Sequence, residues 1–208
     1  MYKKNEEERN EIKIIIIGNS GVGKTNLVNA VIGLEFQESD VPTISGSFFS
    51  KKFAFNDKIY IANIWDTAGQ EAYKGITQLF FRGSEIVILV YDICSLASFE
   101  ALNNWYELCE DTINNEHIYA IVGNKNDLYL NSEVNEKEAK AYADSKNIKF
   151  KLVSAKTNPK GFIDFVEELI MDYKKITNNI RRQSIKIQKN DIKPKKEEKC
   201  FGCNKDTN

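Results

Sequence analysis

The sequence predicts an α/β fold: a doubly wound, six-stranded, mostly parallel sheet with one antiparallel edge strand. Short apolar runs that read as buried strands alternate along the chain with helical patterns, which is typical of a parallel sheet covered by helices. Two further strand-like runs, 48–55 and 59–65, are joined at Asn56-Asp57, a hairpin signal that makes one strand antiparallel. A glycine-rich stretch, 18–25, follows the first apolar run directly.

The elements follow in order. Residues 12–17 form a β-branched run that only Lys13 interrupts, as expected for a parallel strand covered on both faces. A helix is predicted from about Gly23 to Ile32, with Gly33 as its C-cap. Ser95 or Ser98 can cap a helix whose apolar residues have helical spacing: Phe99, Leu102, Trp105, Tyr106 and Leu108. The remaining strands are predicted at 85–91, 118–122 and 148–153, and the remaining helices at 136–145 and 162–173.

The composition is that of a soluble globular domain, with 42% apolar and 28% charged residues. A net charge of −1 gives no indication of a nucleic-acid partner. The charge is uneven, since residues 174–208 hold eleven Lys and Arg against four Asp and Glu. We expect no secretory signal, no membrane-spanning helix, and a reducing compartment in which Cys94 and Cys109 are buried, inert thiols. We divide the chain into a disordered segment 1–11, a domain 12–176 and a flexible basic tail 177–208.

The stretch Gly18-Asn19-Ser20-Gly21-Val22-Gly23-Lys24-Thr25 has the G-x-x-x-x-G-K-[ST] spacing, between a strand and a helix. In that context main-chain N–H groups point at anionic oxygens, and the helix N-terminus adds a positive field. Lys24 would bridge the outer phosphates, and the Thr25 hydroxyl would ligate Mg²⁺. The pattern therefore predicts a nucleotide site.

A second motif, Trp65-Asp66-Thr67-Ala68-Gly69-Gln70-Glu71, stands at the end of a predicted strand. Asp66 can hold Mg²⁺ opposite Thr25, the Gly69 N–H can approach a terminal phosphate, and Gln70 can orient an attacking water. Standing alone, this motif would be read as a polar turn.

A third motif, Gly123-Asn124-Lys125-Asn126-Asp127, also follows a buried strand. Ligands of open α/β sheets bind beyond the carboxyl ends of the strands. The Asp127 carboxylate can accept hydrogen bonds from N1–H and the amine of guanine, a pair of donors that adenine lacks. Ser154-Ala155-Lys156 follows the last strand, where the Ala155 N–H could reach guanine O6.

These motifs, in this order, resemble those of the Ras superfamily of small GTPases and, within it, the Rab branch, over about residues 12–173. The Rab-like stretches are Ser20 in the phosphate loop, the second motif, Phe81-Arg82-Gly83-Ser84 and Leu89-Val90-Tyr91-Asp92-Ile93. Phe36-Gln37-Glu38-Ser39, Pro42-Thr43-Ile44 and Ala141-Tyr142-Ala143-Asp144-Ser145 resemble the early-endosomal subgroup. The resemblance implies a P-loop NTPase G domain that cycles between GDP and GTP with Mg²⁺.

The resemblance also implies roles for individual residues. Phe36 would lie against the guanine ring, and Thr43 would bind Mg²⁺ and the γ-phosphate. An aromatic triad of Phe48, Trp65 and Phe80, with Ile44, would be read by effectors, although the triad could equally be core. Gln70 is the catalytic candidate, and the metal candidates are Thr25, Thr43 and Asp66. The nucleotide-binding candidates are Ser20, Gly21, Val22, Gly23, Lys24, Thr25, Asn26, Phe36, Pro42, Thr43, Gly69, Asn124, Lys125, Asp127, Leu128, Ser154, Ala155 and Lys156.

The chain has only four arginines, Arg9, Arg82, Arg181 and Arg182, and none lies between Phe36 and Phe48. No arginine finger is therefore available in cis in that loop, which predicts slow intrinsic hydrolysis and a GTPase-activating protein that supplies the arginine in trans. The other partners implied are an exchange factor and effectors, and the GTPase itself is expected to be a monomer.

Several residues depart from the family pattern. Ala72 and Lys74 replace arginines on the surface that exchange factors and effectors read, and Ser45-Gly46 alters the glycine that usually follows Thr-Ile. Asp40 places a carboxylate in the loop near the phosphates, where we expect it to be solvated.

The last nine residues hold Cys200 and Cys203. Zinc is disfavoured because a fourth ligand is missing beside this pair and the single His117. The resemblance implies two prenyl chains, with palmitoylation as the alternative, although the spacing is neither C-a-a-X nor a usual pair and five residues follow Cys203. Together with the basic residues, this tail would hold the protein on the cytoplasmic face of intracellular, including endosomal, membranes.

Two other functions stay open on the sequence. One is a switch or scaffold that binds guanine nucleotide with negligible hydrolysis. The other is a phosphotransferase or ATPase, for which Asn124-Lys125-Asn126-Asp127 would have to be coincidence.

Overall fold

The computed structural model describes residues 10–38, 43, 46–55, 57–67 and 80–191, the last eleven by their backbone alone. The strands are β1 (Glu11–Ile17), β2 (Ser47–Phe55), β3 (Lys58–Asp66), β4 (Ile86–Asp92), β5 (Ile118–Asn124) and β6 (Lys149–Leu152). The α-helices that lie wholly within the described residues are α1 (Lys24–Ile32), α2 (Leu96–Glu100), α3 (Leu102–Glu110), α4 (Glu136–Ser145) and α5 (Pro159–Asp191). A 3₁₀ helix spans Asn126–Asn131.

The six strands form one sheet in the order β2-β3-β1-β4-β5-β6. β2 pairs with β3 antiparallel, and every other neighbouring pair is parallel. The predicted fold class is thereby confirmed. The strand order reverses at β1, with β3 on one side and β4 on the other, and a doubly wound sheet binds its ligand at such a point.

Helices cover both faces of the sheet, and β1 contributes to both cores. Ile12, Ile14 and Ile16 pack on the face covered by α1 and α5. Ile15 and Ile17, on the opposite side of the pleat, pack toward α3 and α4. Because successive side chains of a strand point to opposite faces, an unbroken apolar run is what a strand buried on both sides requires.

The C-terminal helix is longer than predicted. The sequence predicted a helix over 162–173, whereas α5 begins at Pro159 and continues to Asp191. Between Gly161 and Pro194 the sequence has neither glycine nor proline, so no residue ends the helix at Tyr173. Two compact units divide the chain, 1–174 and 175–208.

The helical pattern after β4 forms two consecutive helices, α2 and α3. The Ser95 side chain accepts a hydrogen bond from the Ser98 N–H, so Ser95 is the N-cap of α2. The prediction for the two cysteines is correct for Cys109, which is buried, with burial raising the pKa of its thiol to about 12. It is wrong for Cys94, which is only partly buried. None of the helices, as far as the chain is described, has the length and apolar character needed to cross a membrane.

Candidate nucleotide site

The loop between β1 and α1 has a backbone that glycine adopts readily at three positions, Gly18, Gly21 and Gly23, and two of them, Gly18 and Gly23, also lie close to neighbouring strands. Gly18 has φ +146° and Gly23 has φ +90°. A Cβ on Gly18 would lie 2.1 Å from the Val90 carbonyl oxygen, and one on Gly23 would lie 2.3 Å from the Asn124 amide nitrogen. The two glycines therefore let the loop pass against β4 and β5 before α1 begins at Lys24.

Lys24 folds back over this loop. Its Nζ donates to the carbonyl oxygens of Gly18 and Asn19, at 2.9 Å each. The side chain is buried, and desolvation lowers the pKa of Lys24 to about 8, partly opposed by the charge of Asp66. The Asn19 side chain is held in turn by Trp105 of α3, whose Nε1 donates to Asn19 Oδ1 at 2.9 Å.

Three oxygen-bearing side chains converge beside Lys24. The Thr25 hydroxyl donates to Asp66 Oδ2 at 2.7 Å and lies 2.9 Å from the Thr43 hydroxyl. Among the described residues, the buried Asp66 Oδ1 has no hydrogen-bond partner. Burial raises the pKa of Asp66, opposed by the Thr25 hydrogen bond and by Lys24. Mg²⁺ prefers oxygen ligands such as hydroxyl and carboxylate groups and usually keeps several water ligands. The unpartnered carboxylate oxygen of Asp66 could accept a hydrogen bond from one of these waters, so this set of residues fits Mg²⁺.

Asn124 joins the phosphate loop to the other end of the site. Its Nδ2 donates to the Val22 carbonyl at 2.9 Å, and its Oδ1 accepts from the Ala155 N–H at 3.2 Å. Lys125 follows with φ +64°, and its ammonium pairs with Asp92 Oδ2 at 2.6 Å. Both ends of the Asn124 amide are used, so this residue fixes the two loops relative to each other.

Asp127 is oriented by the loop after β6. The Ser154 hydroxyl donates to Asp127 Oδ1 at 2.5 Å. Ser154 is buried and accepts from the N–H groups of Lys156 and Thr157. One carboxylate oxygen of Asp127 is thereby fixed, and Asp127 lines the cavity.

Residues 36–38 form a further wall. Asn26 Nδ2 donates to the Gln37 carbonyl at 2.9 Å, and Asn26 Oδ1 accepts from the Gln37 N–H at 3.0 Å. Lys156 Nζ lies 3.6 Å from Glu38 Oε1 and 5.6 Å from the centre of the Phe36 ring.

These parts enclose one cavity of about 590 Å³. Two candidates do not line it: Val22 and Ser154 are buried behind it, where each bonds a residue that does. The other described nucleotide-binding candidates line it: Ser20, Gly21, Gly23, Lys24, Thr25, Asn26, Phe36, Thr43, Asn124, Lys125, Asp127, Leu128, Ala155 and Lys156.

Sequence reasoning missed four residues of the site. Asn29, Gln37 and Glu38 also line the cavity, and Asp92 pairs with Lys125. Asn29 had a signal, since it stands one helical turn after Thr25 and therefore faces the same way. Asp92 also had a signal, since it ends β4, the strand next to β5, and the third motif stands at the end of β5. Gln37 and Glu38 gave none, because they lie in a segment without periodicity.

The aromatic triad is brought together on the β2–β3 hairpin. Phe48 pairs with Trp65 across the two strands, with ring centres 5.1 Å apart, and Trp65 lies 5.2 Å from Phe80. Phe48 is 53% exposed, whereas Trp65 and Phe80 are partly buried. Phe48 is therefore a surface residue rather than part of the core.

Several predicted residues lie outside the described part of the chain. They are the site candidates Pro42, Ile44, Gly69 and Gln70, the cysteines Cys200 and Cys203, and the departures Asp40, Ser45, Ala72 and Lys74.

The chain is similar in sequence to known proteins. Residues 13–178 match the model of the Ras family. The chain is 39% identical over 150 residues to the Ras-related protein Rab-11C of Dictyostelium discoideum, covering 72% of this chain and 67% of that protein. It is 40% identical over 155 residues to RABG3f of Arabidopsis thaliana and 39% identical over 155 residues to Rab7 of Cenchrus ciliaris, covering 71% of this chain and 75% of each relative.

Proposed function

Because the chain belongs to the Ras family and is a small GTPase of the Rab branch, a GTP phosphohydrolase, we propose that the 590 Å³ cavity is its GTP and GDP site. One observation carries this proposal. Two groups of side chains line the same cavity: Lys24, Thr25 and Thr43, with Asp66 bonded to Thr25, form one group, and Asn124, Asp127 and Ala155 form the other, with Asn124 bonded to both loops. A guanine nucleotide has its phosphates and its base at opposite ends.

At the phosphate end, the Lys24 ammonium binds the outer phosphate oxygens in place of loop carbonyls. The hydroxyls of Thr25 and Thr43 would hold Mg²⁺, with Asp66 in support. When bound, the ion neutralises charge on the phosphates. The main-chain N–H groups of the phosphate loop, the Gly69 N–H and the N-terminus of α1 bind the remaining oxygens.

At the base end, Asp127 accepts the two guanine donors, and the Ala155 N–H donates to O6. Ser154 is a positioning residue, since it holds one oxygen of Asp127. Adenine would leave the Asp127 carboxylate unsatisfied, which is costly in a partly buried site and makes the site selective for guanine. Phe36 and the stem of Lys156 cover the base.

Hydrolysis is slow in this proposal. Gln70 orients the attacking water, and the loop between Phe36 and Phe48 contributes no arginine. An arginine supplied in trans by an activating protein would accelerate the reaction about 10³–10⁵-fold.

The GTP form then recruits effectors in vesicle trafficking. Thr43 and Gly69 hold the γ-phosphate, and its loss on hydrolysis releases their loops. The exposed Phe48 with Trp65, Phe80 and Ile44 is the surface that we assign to effectors. An exchange factor restores GTP, and lipidation of Cys200 and Cys203, with the basic residues of the tail, holds the monomer on the cytoplasmic face of an intracellular membrane.

GTP turnover with Mg²⁺, comparing wild type with Gln70→Leu, tests the proposal. We expect slow phosphate release from wild type and at least tenfold slower release from Gln70→Leu, because leucine cannot orient water, while both bind GDP alike. Bound nucleotide without turnover in either protein would favour the binding-only switch. Equal competition of ATP with GDP would favour an ATPase.

A further inference from the structure

Residues 36–38 are tied to the body of the domain at both sides of the cavity. On one side is Asn26 of α1, which is next to Thr25 in the sequence. On the other is Lys156, in the loop that follows β6 and carries Ala155. The segment itself lines the cavity. A nucleotide that reaches from α1 to this loop therefore lies against a wall fixed at both of its ends.

The tie to α1 consists of two hydrogen bonds to the main chain of a single residue. Asn26 donates to the Gln37 carbonyl at 2.9 Å and accepts from the Gln37 N–H at 3.0 Å. A side-chain amide that satisfies both main-chain groups of one residue holds that residue in place as a strand partner would. The Gln37 main chain thus stays on α1, and Phe36 precedes it directly.

The tie to the base end is ionic. Lys156 Nζ is 3.6 Å from Glu38 Oε1, and the same ammonium lies 5.6 Å from the Phe36 ring centre. The side chains of Lys156 and Glu38 are 53% and 86% exposed, so salt screens this contact.

We propose that Asn26 and Glu38 form a latch that holds residues 36–38 closed over the nucleotide and so limits the rate of nucleotide release. The latch rests on the proposed function and deepens it, since it assigns the side chains of Asn26 and Glu38 a part in the nucleotide cycle. Both act as positioning residues, through the Gln37 main chain and through Lys156.

The contacts of the latch contribute little to folding. Asn26 is partly exposed and Glu38 is exposed, and neither belongs to the two clusters of buried apolar residues. Their breakage, however, frees the wall through which the nucleotide leaves. Two neutral hydrogen bonds in a partly exposed place predict about a tenfold change in dissociation rate, and one exposed ion pair predicts about threefold.

Dissociation of a fluorescent GDP analogue, chased with excess GDP in Mg²⁺, measures the latch in the full chain. We expect about tenfold faster release from Asn26→Ala. Alanine is the better helix former, so α1 is retained, and the main-chain N–H at position 26 is still present. We expect about threefold faster release from Glu38→Gln at low salt, and a difference that disappears at high salt.

Glu35→Gln is the matched control, because it removes the same charge from the same segment, and no described residue pairs with Glu35; its release rate should equal that of wild type. A fluorescent GTP analogue should show the same fold-changes as the GDP analogue, because neither contact of the latch depends on a third phosphate.

Release from Asn26→Ala within twofold of wild type would overturn the latch. Equal acceleration by Glu38→Gln and Glu35→Gln would overturn the part of Glu38, since net charge would then explain it. Failure of wild type itself to bind guanine nucleotide would instead defeat the proposed function, and the latch with it.

Discussion

Lys24 carries a buried positive charge whose bonded partners among the described residues are two main-chain carbonyls. Burial favours its neutral form, which is why the pKa of Lys24 falls from 10.5 to about 8. Burial also favours the neutral form of Asp66, which for a carboxyl group means a raised pKa. Lys24 and Asp66 neutralise each other's charge only in part. A bound phosphate would balance the charge of Lys24, and Mg²⁺ would balance that of Asp66.

This charge predicts a pH dependence of nucleotide binding. Phosphate oxygens beside Lys24 raise its pKa above the value of about 8 in the empty protein. Binding therefore takes up a proton above that pH, and affinity is full below about pH 8 and declines as the pH rises further. Calorimetry of GDP binding at about pH 8.5, in buffers of different ionisation enthalpy, should show a net uptake of protons.

Guanosine, which lacks phosphates, is the control for this measurement and should take up fewer protons than GDP. Equal uptake with guanosine and GDP would show that another group titrates. An affinity for GDP that stays constant between pH 7.5 and 9.5 would contradict the role of Lys24.

The elements bring the site together by their ends. The phosphate loop follows β1, Asp66 ends β3, Asn124 ends β5, and the Ser154 loop follows β6. Parallel strands direct these ends to one edge of the sheet, so the motifs that are distant in sequence meet there. The helix α3 also takes part, since Trp105 binds the phosphate loop through Asn19.

The contact between α3 and the phosphate loop can be tested with Trp105→Phe. Phenylalanine keeps an aromatic ring in a site that is 5% exposed but removes the N–H donor and leaves space. We expect a loss of about 1–3 kcal/mol in the free energy of unfolding, measured by chemical denaturation with GDP present.

Tyr142→Phe serves as the comparison. It also removes one donor from a partly buried ring, since the Tyr142 hydroxyl donates to Asn103, but that bond does not involve the phosphate loop. We expect it to cost under about 1 kcal/mol and to leave GDP affinity unchanged. Equal losses of unfolding free energy in the two variants would refute a specific role for Trp105.

At the scale of the whole molecule, the sequence was sufficient for the fold because its signals are local. The β-branched run at 12–17, the hairpin turn and the three motifs can each be recognised from neighbouring residues alone. The observed sheet has the predicted fold class. Contacts between distant segments were not predictable. The Asn26–Gln37 contact joins two segments that no sequence motif links to each other. The length of α5 follows from the absence of a glycine or proline that would end the helix, and no residue pattern marks its end at Asp191.

The prediction for the whole molecule is that its C-terminal tail is lipidated. The boundary between the domain at 12–176 and the tail at 177–208 stays a prediction, as does lipidation. We expect mass spectrometry of protein from its native cells to find lipid on Cys200 and Cys203. The variant with both cysteines changed to serine should leave the membrane fraction while its GTP turnover stays that of wild type.

A variant with only Thr207→Ser, which keeps both thiols and every basic residue of the tail, is the control and should remain with membranes. Unmodified thiols on membrane-recovered wild type would refute lipidation at these positions.

The double use of the Asn124 amide has a consequence for engineering. Aspartate at this position would keep an acceptor for the Ala155 N–H but lose the donor to the Val22 carbonyl, and leucine would lose both. We therefore expect any change of Asn124 to alter base recognition and the phosphate loop together. Among the residues that the structure describes, Asp127 bonds only to Ser154, within the proposed base end. An orthogonal form of this protein, tuned to an unnatural base, is therefore best sought by varying Asp127 while Asn124 stays as it is.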